Sequence, residues 1–271
     1  MSADWDPQRY LTYADERGRP FVDLIARIDA DPAEGVASVV DLGCGPGNLT
    51  ALLARRWPRA GVTGVDSSPE MIARARSEVP GLDFRVADLR DWIADPGRGP
   101  VDVLVSNATL QWVPGHLDLL PALVAAVRPG GWLALQVPGN FEQPSHTLLE
   151  EVADLPAHRE HTRGAARPAA HDAATYLDAL AALGCAVDAW ETTYLHVLRG
   201  EDPVFTWVSG TAARPVLQAL PDELRPGFVE AYKARLRASY PMVRVGDEPG
   251  VVLPFRRVFA VARVPDHEEE A

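Results

Sequence analysis

The chain has 271 residues, 24% of them charged, and a formal net charge of −12, which disfavours a nucleic-acid substrate because phosphate binding depends on cationic neutralisation. It contains no run of about eighteen uncharged apolar residues, so neither a transmembrane helix nor a membrane partner is expected. Cys44 and Cys185, the only cysteines, offer neither a disulfide framework nor metal-ligand spacing, so no metal is expected and a reducing cytoplasm is.

Met1-Ser2-Ala3-Asp4-Trp5-Asp6 is acidic and does not read as a secretory leader. From residue 39 to 137, apolar runs alternate with amphipathic segments, the pattern of an α/β fold with a parallel sheet. Val39–Leu42 predicts the first strand, and Asn48–Trp57 the first helix, stopped by Pro58. Gly61–Asp66 predicts the second strand. Ser67-Ser68-Pro69-Glu70 then caps a helix running to about Ser77. Leu82–Ala87 and Val101–Ser106 predict the third and fourth strands, and Leu117–Val127 a helix ended by Arg128-Pro129-Gly130-Gly131. Trp132–Val137 predicts the fifth strand. Beyond it, helical pattern covers His146–Leu155 and Ala173–Leu183. Ala186–Leu198 and Val251–Val264 predict strands, the latter interrupted by Pro254, with mostly helical chain over Asp202–Tyr240 between them. The acidic tail from Pro265 onward predicts a solvated end. An insertion between the last two strands of such a sheet would lie over its ligand-binding edge. We therefore expect a single domain over 1–271, with a binding core at 35–137 and lid elements at 140–170 and 200–245.

The sharpest local signal is Asp41-Leu42-Gly43-Cys44-Gly45-Pro46-Gly47-Asn48, a tight glycine turn between a strand and a helix. Such a turn brings backbone amides close to a ligand with no Cβ in the way. A dinucleotide fingerprint requires glycine at the first, third and sixth positions, whereas here the sixth is Asn48. The pattern instead resembles motif I of the class I S-adenosylmethionine (SAM) methyltransferases. That resemblance implies a Rossmann-like, mostly parallel seven-stranded sheet with a helical lid inserted near the C-terminus, and SAM as cofactor. Asp66, ending the second strand, can accept from both ribose hydroxyls or cap the following helix; with the turn upstream the ribose role is favoured. The resemblance further implies that Asp88 and Leu89 face the adenine, and that Gly43, Gly45 and Ser67 border the cofactor. Asn107 is placed at its methionine end, where Asp41 would act through the turn or a water and Arg19 would bind the carboxylate. Surface-loop or solvating roles stay open for Asp88 and Arg19.

Further motifs resemble the trans-aconitate 2-methyltransferases along nearly the whole chain. They are Trp5-Asp6-Pro7, Tyr10, Arg17-Gly18-Arg19-Pro20, Pro144-Ser145-His146, the stretch from Trp190 to His196, Gly210 to Pro215, and Pro254 to Phe259. The family's activity implies methyl transfer from SAM to one carboxylate of a small tricarboxylic acid. A carboxylate, with an unperturbed pKa of about 4, is already ionised near neutrality, so a positioning mechanism with no general base is expected. Cationic groups should hold the spectator carboxylates, with neutral donors near the methyl. Arg214 and Arg256 are candidates for the first role, and Tyr10, Gln111 and Trp112 for the second. His196 and Trp207 are further candidate pocket residues, although packing roles stay open for both. Arg256 and Arg257 point to opposite strand faces, so at most one meets a ligand. The alternatives are a methyltransferase of a hydroxyl, amine or carbon acceptor, with His146 or His196 as base, and a non-catalytic SAM-binding protein. Ser106-Asn107-Ala108-Thr109 lacks the Asn/Asp-Pro-Pro-aromatic motif of many nucleic-acid base methylases.

Overall fold

The computed structural model describes residues 18–31 and 35–266 and divides into two compact units. Unit 1 takes in the chain up to Val137, His171–Glu191 and the segment from Val258 on; unit 2 comprises Pro138–Ala170 and Thr192–Arg257.

Unit 1 opens with α1 (Arg19–Ala26), whose Phe21, Val22, Leu24 and Ile25 are buried. There follow β1 (Ser38–Leu42), α2 (Thr50–Arg56), β2 (Gly61–Asp66), α3 (Pro69–Glu78), β3 (Asp83–Val86), α4 (Leu89–Ala94) and β4 (Val101–Asn107). Two short 3-10 turns and α5 (Leu120–Ala125) lead into β5 (Val127–Pro138). After unit 2's first segment come α8 (Ala173–Ala181) and β6 (Ala186–Leu198), and the chain's last strand is β8 (Glu248–Arg263). The strand order is β3-β2-β1-β4-β5-β8-β6, with the short β7 (Val243–Val245) pairing antiparallel to β8. β3, β2, β1, β4 and β5 are mutually parallel. β4 is buried from Val101 to Ser106, the near-continuous apolar run expected of a central parallel strand.

The elements predicted from sequence appear in their expected order, whereas α4 between β3 and β4, and the short β7, were not anticipated. The Arg128-Pro129-Gly130-Gly131 turn belongs to β5 and does not end a helix: Gly130 N–H donates to Val264 O (3.0 Å), and Val264 N–H to Gly131 O (2.9 Å). The expected helix at 117–127 begins as a 3-10 turn, and α5 starts only at Leu120, where Pro121 supplies a preset φ and lacks the N–H that the first turn would leave unpaired. Pro254 does not interrupt β8. It is exposed between buried Leu253 and Phe255, so the alternation of the strand carries through it.

Unit 2 holds α6 (Pro144–Ala153), α7 (Arg159–Thr162), α9 (Pro203–Ser209), α10 (Arg214–Ala219) and α11 (Arg225–Ser239). Its core joins Leu149 and Val152 to Val204, Val208, Val216, Phe228, Tyr232, Leu236 and Leu253. Two tyrosines fasten the start of α6: Tyr232 Oη donates to Ser145 O (2.6 Å), and Ser145 N–H donates to Tyr240 Oη (3.0 Å). Among the described residues no helix is long and apolar enough to cross a membrane.

Candidate functional site

The glycine turn after β1 is held from within. Gly43 and Cys44 donate their N–H groups to Val65 O at 2.7 and 3.0 Å, and Gly47 N–H to Cys44 O. Gly45 N–H donates to Asp66 Oδ2 (2.9 Å), while Asp66 Oδ1 accepts from Ser68 N–H (2.8 Å). Gly43 and Cys44 thus spend their amides on β2, Gly45 on the Asp66 side chain and Gly47 within the turn, so what these four residues offer is close backbone approach. Gly43 has φ +87°, and a methyl added there would overlap the Thr109 side chain. Gly45, by contrast, has no heavy atom within 4 Å of where a Cβ would stand. The turn is thus closed on one side and open on the other.

Register places the polar candidates on a common sheet face. Asp41 pairs with Gly64 and Val105, and Asn107 with Gln136. Residues two apart on a strand share a face, so Asp41, Asp66, Asn107 and Gln136 all lie on the same one. Asp66, Asn107 and Gln136 stand at the carboxyl ends of β2, β4 and β5, the edge where open α/β sheets bind ligands. Asp41 is 2% exposed and accepts from Thr50 Oγ1 at 2.6 Å. Burial, partly offset by that bond and aided by the charge of Asp66, pushes its carboxyl up to about 6. Asp88 is exposed and caps α4, accepting from Arg90 N–H (2.8 Å), with buried Leu89 beside it. Ser67 is exposed after β2, and Arg19 is exposed on α1.

Past β4 the backbone at Ala108 adopts φ +53°, an uncommon conformation for a residue with a Cβ and one that clusters at functional sites. Ala108 N–H donates to Gln136 O (2.8 Å), and Ala108 O accepts from Gln111 Nε2 (2.6 Å). Gln111 is buried, whereas Trp112 is 39% exposed. Tyr10 lies outside the described residues.

Within unit 2, His196 packs among Tyr194, Trp207 and Phe255, with ring centroids 6.1, 4.7 and 6.0 Å away. Arg257 Cζ lies 4.4 Å from the centre of the Phe255 ring. Arg257 is 7% exposed, so of the adjacent arginines on β8 it is the more buried, while Arg256 is half-buried. Arg214, the first residue of α10, is exposed and is not part of that aromatic group. His146, named above as a possible base, is buried; its Nδ1 is 3.0 Å from Ser145 Oγ, and burial pushes its pKa down to about 4. A group of that acidity is a weak base near neutral pH.

One residue escaped the sequence reading: Gln136 looked like part of an apolar strand, and only its pairing with Asn107 brings it to the polar edge. Parity alone left open which of Arg256 and Arg257 faces a ligand; two residues after Phe255, Arg257 shares that residue's face.

The family described as "Methyltransferase domain" matches residues 39–131, from β1 into β5. The trans-aconitate 2-methyltransferase of Streptomyces avermitilis is 52% identical over 95% of this chain and 96% of its own length. That of Mycolicibacterium gilvum is 48% identical over 96% of this chain and 99% of its own. Among solved structures, phosphoethanolamine N-methyltransferase 2 of Haemonchus contortus, in complex with S-adenosylhomocysteine, shares the fold at 16% identity. Its TM-score is 0.53, and the match covers 91% of this chain and 52% of that one. The full-length match at this level of identity, together with the glycine turn and the polar sheet edge, shows that the chain belongs to the trans-aconitate 2-methyltransferase family of class I methyltransferases.

Proposed function

We propose that this protein transfers the methyl group of SAM to one carboxylate of trans-aconitate, giving a mono-methyl ester and S-adenosylhomocysteine. The observation that carries the reading is that identity of about half extends over 95% of the chain, through unit 2 as well as the glycine turn. The cofactor edge alone would serve many acceptors. A cytoplasmic location fits a substrate drawn from soluble metabolism.

The residues present fit SAM. The open side of Gly45 admits a ligand, and buried Asn107 Oδ1 has no hydrogen-bond partner among the described residues. Asp66 keeps lone pairs for the ribose hydroxyls after accepting two amides. Asp88 and Leu89 border the adenine, Gly43 and Ser67 line the approach, and Asn107, Asp41 and Arg19 serve the methionine end. When bound, SAM supplies an electrophilic methyl on a sulfonium. In the transfer, a carboxylate lone pair forms the new C–O bond while the C–S pair returns to sulfur, and no proton moves. The protein's task is then alignment of the reacting atoms.

Residues 140–170 and 200–245 are proposed as acceptor-lid elements. For the spectator carboxylates we propose Arg214 together with one of the two adjacent arginines of β8, and of these we favour Arg257 over Arg256, because its buried guanidinium stands beside the Phe255 ring. Each charge-assisted bond could contribute about 1.5–3 kcal/mol. Trp207, His196, Trp112 and Tyr10 are proposed as pocket walls, and Gln111 as a neutral donor.

Incubation of the protein with SAM and a panel of tricarboxylic acids, read by mass spectrometry, tests the reading. Selective formation of a trans-aconitate mono-methyl ester is expected; SAM binding without any ester would overturn it. Because the acceptor is already ionised, kcat should stay level from pH 6.5 to 8.5. A limb near pH 6–7 that disappears in His146→Ala or His196→Ala would point instead to an acceptor that needs a base.

A further inference from the structure

Within unit 1, four side-chain amide atoms near the carboxyl ends of β4 and β5 are buried without a hydrogen-bond partner among the described residues: Asn107 Oδ1, Gln111 Oε1, and both Nε2 and Oε1 of Gln136. Folded proteins leave few such groups, and each is costly, so a cluster of them points to a missing ligand. Gln136 stands out because both ends of its amide are unpaired and its exposure is 1%. It lies within β5, paired with Asn107 of β4, and its O accepts from Ala108 N–H (2.8 Å), so the side chain is fixed at its base.

The strand order gives this tip a place relative to the cofactor. Asp66 ends β2, the glycine turn follows β1, and Asn107 ends β4, so the proposed cofactor contacts advance along β2, β1 and β4. Gln136 is the next station, one strand further on and on the same face as Asn107. Resting on the carboxyl-methylation reading above, we propose that Gln136 is an acceptor-positioning residue whose Nε2 donates to the carboxylate that receives the methyl group.

An uncharged donor suits that position. A guanidinium paired with the reacting carboxylate would draw electron density from the attacking oxygen, whereas a carboxamide orients it with less loss of nucleophilicity. Gln111 and Asn107 carry no charge either, so the neighbourhood as a whole orients without neutralising.

The test compares Gln136→Met, of similar length without the amide, and Gln136→Glu with the wild type. Readouts are the melting temperature, the SAM dissociation constant by calorimetry, and the kinetics with trans-aconitate. Gln136→Met should melt no lower than the wild type, because it removes an unpaired buried amide, and should bind SAM within about threefold of it. Its kcat/KM for the acid should fall about 10- to 100-fold. Gln136→Glu, which sets a carboxylate against a carboxylate, should fall further. Unchanged acid kinetics in Gln136→Met would overturn the proposal, as would a clear loss of melting temperature, which would mark a structural amide. Tighter SAM binding in Gln136→Glu would also overturn it, because the station would then face the cofactor's ammonium. If the wild type esterifies trans-aconitate and Gln136→Met does so equally well, the proposal falls alone. If the wild type esterifies no acid, the function and the proposal fall together.

Discussion

In unit 1 the ligand edge is built from backbone. Gly43, Cys44, Gly45 and Gly47 spend their amides on Val65, Asp66 and Cys44, all on β1, β2 or the turn itself. In unit 2 the comparable group is built from side chains: His196 on β6, Trp207 on α9, and Phe255 and Arg257 on β8. The difference teaches where change is tolerated. At Gly43 and Gly47 the turn has no room for a side chain, whereas a group of side chains can be altered one at a time while the strands beneath it persist. Recognition of a shared cofactor fits the first kind of construction, and discrimination among acceptors fits the second.

The sharpest way to break this comparison is at the turn. Gly43→Ala places a methyl against Thr109 in a backbone conformation that favours glycine, and should abolish measurable SAM binding and lower the melting temperature by several degrees. Normal calorimetric titration with SAM would show the turn to be more forgiving than its packing implies. Asp66→Ala should weaken SAM about 100-fold, because it removes the proposed ribose acceptor and releases the amides of Gly45 and Ser68. An unchanged dissociation constant would remove Asp66 from the cofactor site.

In unit 2 effects should fall on the acceptor. Arg257→Ala should raise the KM for trans-aconitate about 10- to 100-fold with little change in SAM affinity, and Arg214→Ala, from an exposed position, should raise it less. The reverse ranking, from steady-state kinetics of both variants, would return the clamp to α10. The smallest effect concerns buried charge. Because Asp41 titrates near 6 when folded and near 4 when unfolded, the folded state binds the extra proton between those values, and stability falls as pH rises through them. Asp41→Asn should therefore match the wild type below pH 4 and exceed it above pH 6, by about 2–3 kcal/mol at most. Denaturant titrations at pH 4 and pH 7.5 would check this, and an equal gap at both values would show that the charge is not the cause.

Much of unit 1 could be read directly from the chain because its signals are local. The glycine spacing, Asp66 after the second strand, Ser68-Pro69 opening α3 and the apolar run of β4 each express a preference within a few residues. Boundaries were less legible where distant backbone intervened, as at Gly130 and Gly131, which pair with Val264 and so extend β5 past an expected turn.

By itself, then, the sequence determined the order of the first five strands, the glycine turn and the family resemblance, because propensity, periodicity and motif spacing are properties of neighbouring residues. Only the tertiary structure decided that Asp66 holds Gly45, that Gln136 stands beside Asn107 with its amide unpaired among the described residues, and that Arg257 rather than Arg256 is the more buried arginine. Each of these depends on strand register and burial, which arise from packing between segments far apart in the chain.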